Sequence, residues 1–279
     1  MRQFWLILPL MGQKKLIRFE AIKSFPNVLQ YPEGMAGQWS AFFKNDHPIT
    51  LELACGKGEY TVGLAKMYPD RNFLGIDIKG NRLYVGARTC LEQHIPNAAF
   101  LRTHIDKLPD YFVPNEVAEI WLTFPDPQLR KSRATRRLTH PKFIRLYQQI
   151  LSPGGRIHLK TDSPVLYQFT KWVAEMYHLT ILEDIPDIHA DVVKEDPIKE
   201  GPIKEIPVKE ELKIRTHYEN LDIAQSSRIH YICFTLTENQ LPDKDNLLME
   251  RIKNEEPTPP ARPPRPPRIH TKNAPTPHG

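Results

Sequence analysis

Between residues 49 and 161 the chain repeats one pattern: a short β-rich apolar run, a turn, then a segment whose apolar residues fall three and four apart. The runs are ITLELA (49–54), NFLGIDI (72–78), AAFLR (98–102), VAEIWLTF (117–124) and GRIHLKT (155–161). The helical segments between them include EYTVGLAKMYP, NRLYVGARTCLEQH and HPKFIRLYQQILSPGG, the last closing on Ser-Pro-Gly-Gly, a helix stop. A strand that returns through a helix lies parallel to its predecessor, and the crossover helices cover the faces of the sheet. The predicted fold is therefore α/β with a mainly parallel sheet. A further helix is expected near residues 165–177. Two later β-like runs, ELKIRTHYE (211–219) and RIHYICFTL (228–236), are expected to form an antiparallel pair at the sheet edge.

The 279 residues are 40% hydrophobic and 25% charged, enough for one sizeable core. A single domain is expected over 19–240, preceded by a flexible extension at 1–18 that includes a short apolar run, with the working start at Met11. That run, Phe4 to Met11, is too short to span a bilayer and lacks a small-residue cleavage site. Residues 193–212, VKEDPIKEGPIKEIPVKEEL, form a degenerate five-residue repeat whose prolines interrupt helix hydrogen bonding, and are predicted to be a solvated insertion. Their alternating Lys and Glu argue against an RNA-binding arm. The Pro/Arg-rich tail, 241–279, is predicted to be disordered. Three cysteines without ligand spacing, and scattered histidines, predict no metal site and a reduced, cytoplasmic setting. No membrane association and no obligatory protein partner are expected.

The chemistry begins in LELACGKGEY (51–60). A strand carries Glu52 to its carboxyl end, and the small residues Ala54, Gly56 and Gly58 let the backbone turn tightly before a helix starts. A dinucleotide fingerprint would place a third glycine where Thr61 stands, and no Gly-Lys-Ser/Thr follows, so both pyrophosphate-binding and P-loop readings weaken. Asp77 ends the second strand, where an acid accepts from ribose hydroxyls. A glycine turn with an acid at the second strand end fits S-adenosylmethionine, a nucleoside with a sulfonium and no phosphate.

The fourth run ends in Phe-Pro-Asp-Pro. Its prolines stiffen the loop around Asp126, just past a strand end where such sheets bind ligands. Five cations follow within eight positions, Arg130, Lys131, Arg133, Arg136 and Arg137, with no acid from Gln128 to Tyr147. Cations so crowded repel unless an anion offsets them, and nucleic-acid phosphate is the expected partner; the net charge of +5 agrees in sign.

TFPDPQLRKSRATRRLTHPKF, followed by LSPGGRIHLKTDS and IRTHYE, resembles the bacterial tRNA (guanine-N7)-methyltransferase family, over residues 49 to 234 and in the same order. The resemblance implies a Rossmann-like class I S-adenosylmethionine-dependent methyltransferase with a mainly parallel seven-stranded sheet and an antiparallel C-terminal edge pair. It implies tRNA as partner and guanine at position 46 of the variable loop as target. By position, Glu52, Gly56, Gly58, Asp77 and His104 would hold the cofactor, and Asp126, the catalytic carboxylate, would sit between methyl donor and guanine. Arg130, Asp162, Thr216 and Glu219 would bind the substrate, and Lys131, Arg133, Arg136 and Arg137 the RNA backbone. Three departures stand out: Ala54 for the first glycine of the turn, His104 for an Asp or Asn (with Asp106 as a second candidate), and Gln128 for a Trp. On the residues alone, a methyltransferase for another substrate and an RNA-binding protein with a decayed cofactor site stay open.

Overall fold

The structure, a computed structural model, describes residues 11–190, 209–216, 219, 228–237 and 239–257. The strands are β1 (Val28–Gln30), β2 (Ile49–Leu53), β3 (Asn72–Asp77), β4 (Ala98–Arg102), β5 (Val117–Thr123), β6 (Leu151–Thr161), β7 (Thr180–Ile185) and β8 (His230–Thr235). They form one sheet in the order β1-β4-β3-β2-β5-β6-β8-β7. The first six strands in that order run parallel; β8 is antiparallel to β6, and β7 is antiparallel to β8.

The helices are α1 (Met11–Ala21), α2 (Trp39–Phe43), α3 (Glu59–Met67), α4 (Gly80–Glu92), α5 (Pro141–Gln148), α6 (Pro164–Met176) and α7 (Asp245–Glu255). Their starts follow local chemistry. The Ser163 hydroxyl accepts from Leu166 N at 3.2 Å and His140 Nδ1 accepts from Lys142 N at 3.1 Å, each followed by a proline at the first helical position.

Strand alternation sorts side chains between two faces. Leu51, Leu53, Leu74, Ile76, Ile120, Leu122, Ile157 and Leu159 join the apolar cluster that α5, α6 and α7 cover. Phe73, Phe100, Trp121 and Tyr231 point the other way, among residues of α3 and α4. The same parity puts Glu52, Asp77, Thr123 and Lys160 on the α3 and α4 side.

Five expectations need correction. The edge pair is β7 with β8, whereas the ELKIRTHYE segment opens in the 3-10 turn Glu210–Lys213 and is not strand at 214–216; His217 and Tyr218 lie outside the described residues. β1 adds an eighth strand beside β4. The extension is helical from Met11, because α1 (Met11–Ala21) runs across its boundary; just past that boundary Gly80 at the start of α4 packs so tightly that a built Cβ would lie 2.9 Å from Phe19 of α1 and 2.7 Å from Ile22. The tail is folded as far as Pro257, because α7 buries Leu248 and Ile252 against α6. Of the insertion, 193–208 lie outside the described residues, and its end is docked rather than solvated: Leu212 is buried and Lys209 pairs with Glu183. Residues 1–10 and 258–279 also lie outside the described residues. Among the described residues no helix is long and apolar enough to cross a membrane, and no cluster of candidate metal ligands occurs.

Candidate active site

The loops after β3, β2, β5 and β6 are neighbours on one rim, since those strands are adjacent and parallel. At about 4.8 Å between strands, the four carboxyl ends span about 15 Å. Asp77 ends β3, the glycine turn follows β2, Asp126 follows β5, and Asp162 follows β6.

The glycine turn is left-handed at three alternating positions, with φ of 57° at Ala54, 58° at Gly56 and 72° at Gly58. Gly58 has no room for a side chain: a Cβ there would meet Phe100 at 2.4 Å. Gly86 of α4 is equally confined, by the Lys57 carbonyl and Phe100, both at 2.6 Å from a built Cβ. Neither Gly86 nor Phe100 stood out in the sequence; a helical glycine facing a turn two elements away has no local signature.

Three of the turn's amides are spent on the protein. Cys55 N donates to the Ile76 carbonyl at 3.1 Å, Gly56 N to Asp77 Oδ2 at 3.0 Å and Gly58 N to the Cys55 carbonyl at 2.8 Å. Thr61 N, in the first turn of α3, donates to Glu52 Oε2 at 2.8 Å. A phosphate site needs such amides pointing at the ligand. Here the Cys55, Gly56, Gly58 and Thr61 amides are taken up internally, and the acid that fixes the turn, Asp77, suits a nucleoside ribose better than a phosphate. That agrees with S-adenosylmethionine, for which Asp77 at the strand end and the close-packed turn would form the cradle.

Glu52 is 3% exposed. Its Oε2 also accepts from the Thr61 hydroxyl at 2.5 Å, and Oε1 from the Thr123 hydroxyl at 2.8 Å. A carboxylate has about four acceptor sites, so one at most is left for a ligand amine. Glu52 thus braces β2, α3 and β5, and its remaining acceptor site is what it has to offer a cofactor amine. Burial pushes its carboxyl up to about 7, against the lowering hydrogen bonds from Thr61 and Thr123. Thr61, read in the sequence as a missing glycine, is the donor this brace requires.

His104 is exposed and precedes the 3-10 turn Ile105–Asp110 after β4. Asp106, on that turn, is paired with Lys142 of α5. Of the two residues expected beside the adenine, His104 is therefore the less committed.

The Phe-Pro-Asp-Pro loop is bent at both ends, with φ of 47° at Phe124 and at Gln128. Phe124 N donates to the Lys160 carbonyl at 2.8 Å, and Gln128 N donates to Asp126 Oδ1 at 2.9 Å, closing an Asx turn. Pro125 is buried and Asp126 is exposed. Where the family often has Trp, Gln128 contributes its backbone: its carbonyl accepts from Arg137.

The basic run divides by direction. Arg130, Arg133 and Arg136 are exposed, on and beside the 3-10 turn Lys131–Arg136. Lys131 donates to the Lys253 carbonyl at 2.9 Å. Arg137 contradicts its expected role on the RNA backbone: it is 0% exposed and forms a two-pronged pair with Glu256, at 2.6 and 2.7 Å.

Lys160 is buried, and its ammonium donates to the Leu212 carbonyl at 2.9 Å and to the Ile214 carbonyl and Glu219 Oε2 at 3.0 Å. Burial pushes this lysine below its ordinary range while Glu219 pulls it back. Glu219 N donates to the Thr216 hydroxyl at 3.1 Å. Lys160 thus ties Thr216 and Glu219 to β6, one residue before its end, and no sequence signal distinguished it. Asp162 lies between the end of β6 and the Ser163 cap.

A family model described as "Putative methyltransferase" matches residues 46–223. The chain is 45% identical over 228 residues to a tRNA (guanine-N(7)-)-methyltransferase of Porphyromonas gingivalis, covering 78% of this chain and 87% of that one. It is 42% identical over 246 residues to the enzyme of the same name from Bacteroides thetaiotaomicron, covering 84% and 91%. Among solved structures, the crystal structure of the 16S rRNA methyltransferase KamB superposes with a TM-score of 0.52 at 13% identity, over 72% of this chain and 93% of that one, a likeness of fold. The chain belongs to the tRNA (guanine-N(7)-)-methyltransferase family.

Proposed function

We propose that this protein methylates N7 of guanine in tRNA from S-adenosylmethionine, at position 46 of the variable loop, with Asp126 facing both donor and base. One observation supports the site assignment above the others: a tight glycine turn tied by Gly56 N to Asp77 lies on the strand beside a stiffened loop that presents an exposed carboxylate.

S-adenosylmethionine supplies an electrophilic methyl group on a sulfonium. Guanine N7 offers a lone pair and carries no proton, so the chain need not supply a general base for the nucleophile. Its task is alignment and electrostatics. Asp77 accepts from the ribose hydroxyls while its other contacts keep the turn in place. Asp126 accepts from the N1-H and N2 edge of guanine and offsets the positive charge that develops on the purine. Asp162, Thr216 and Glu219 orient the base, with Glu219 held by Lys160. Arg130, Arg133 and Arg136 meet the phosphates.

Incubation of the protein with labelled methyl donor and unmodified tRNA, followed by nucleoside analysis, should yield 7-methylguanosine, and tRNA with guanine 46 replaced should not be labelled. Asp126→Asn should lower kcat by about a hundredfold while tRNA affinity holds. Full turnover in that variant would remove Asp126 from the chemistry.

A further inference from the structure

The carboxyl end of α7 lies far from the candidate active site in sequence, yet it is joined to it through one buried side chain. Arg137 Nε donates to the Pro127 carbonyl at 3.1 Å, and Nη2 to the Gln128 carbonyl at 3.2 Å. Nη1 and Nη2 also donate to the two oxygens of Glu256, which is itself buried, just past the end of α7. The guanidinium lies over the Phe169 ring, 4.6 Å from its centroid. A planar fork with five donors can hold such a set; a lysine ammonium cannot.

The two carbonyls belong to the residues that follow Asp126. The backbone of Gln128 is held from two sides, its N–H by the Asp126 carboxylate and its carbonyl by Arg137. The loop needs such holding, since Phe124 and Gln128 both occupy left-handed backbone positions that side chains disfavour. Lys131 adds a second tie to the same end of α7 through the Lys253 carbonyl.

We propose that Arg137 and Glu256 form a clamp that positions Asp126, making the end of the C-terminal helix a support for that loop and Arg137 a positioning residue rather than a phosphate ligand. The charge of Arg137 is spent within the protein, so it adds nothing to the RNA footprint. Glu256 keeps that buried charge balanced, because an unpaired guanidinium inside the fold would seek solvent and release the carbonyls. The clamp rests on the reading of Asp126 as the carboxylate that faces the guanine only for its effect on turnover; its effect on loop order is independent of that reading.

The test compares full-length Glu256→Gln and Arg137→Lys with Arg251→Ala, which loosens α7 elsewhere by removing its contacts to Glu175 and Trp172. Three quantities are read: amide hydrogen exchange over residues 124–130, kcat with unmodified tRNA, and the salt dependence of tRNA binding. Glu256→Gln should speed exchange in that loop and lower kcat by about tenfold to a hundredfold, with an unchanged salt slope and with Arg251→Ala close to wild type in both. Arg137→Lys should follow Glu256→Gln; if it fails to fold, Glu256→Gln carries the test. Unchanged loop exchange, or equal losses in Arg251→Ala, overturns the clamp. So does a salt slope flattened by Arg137→Lys, which would return this arginine to the RNA. Faster loop exchange with undiminished kcat upholds the clamp and overturns the role of Asp126.

Discussion

Glu52 sits between two opposing forces: burial favours its neutral form, and three protein donors favour its charge. Burial wins, lifting the carboxyl from 4.5 to about 7. The folded state then holds a proton that the unfolded chain releases. Its contribution to stability is complete below about pH 4.5 and is lost as pH rises through 7, on the order of 3 kcal/mol in all. His158 and His140, pushed down by burial to about 3 and about 4, act in the opposite sense, losing stability as pH falls. Comparison with Glu52→Gln isolates the carboxyl: denaturant titrations should show wild type gaining on the variant from pH 8 to pH 5. A constant difference would show that Glu52 does not titrate there. The turn beside it gives a second contrast. Gly58→Ala pushes a methyl into Phe100 at positive φ and should cost about 2 kcal/mol with loss of cofactor affinity, whereas Ala54→Gly relieves a left-handed alanine and should leave melting unchanged or slightly raised. Equal losses in the two variants would contradict this geometry.

Central strands were legible because both faces are buried, which leaves apolar runs bounded by turns. β7, with the sequence TILEDI, lies on the sheet edge with most of its residues exposed, so the pattern that betrays a strand is absent. The stretch ELKI mimicked a strand by alternating, yet tertiary docking of Leu212 made it a 3-10 turn. α7 was hidden by composition: its apolar positions Leu248 and Ile252 are four apart, but a Pro/Arg-rich segment follows directly. Its attachment also uses Asp245, which accepts both prongs of Arg145 and the Tyr177 hydroxyl; the Arg145 hydrogen bonds hold its carboxyl below the usual range. Ile252→Ala should cost about 3 kcal/mol of stability, measured by chemical denaturation. A loss below about 0.5 kcal/mol, as for a surface site, would mean that α7 is not part of the cooperative fold.

Across the whole molecule, the basic run shows how far charge counting reaches. Five cations within eight positions suggested one surface, but the fold turns Arg137 inward and leaves Arg130, Arg133 and Arg136 outside. Each exposed cation that meets a phosphate releases about one counterion. Neutralising Arg133 and Arg136 together should therefore flatten the slope of log affinity against log salt by about 2. An unchanged slope would separate these arginines from the RNA. The order of strand runs, the glycine turn, Asp77 and the Phe-Pro-Asp-Pro loop could be read from the chain, because each depends on residues near one another in sequence, or on strand parity. The Glu52 brace across Thr61 and Thr123, the Lys160 tie to Glu219 and the Arg137 pair with Glu256 could not. Each joins polar groups from separate elements, and whether a charge meets water or a buried partner is settled only when packing decides which side of each segment is covered.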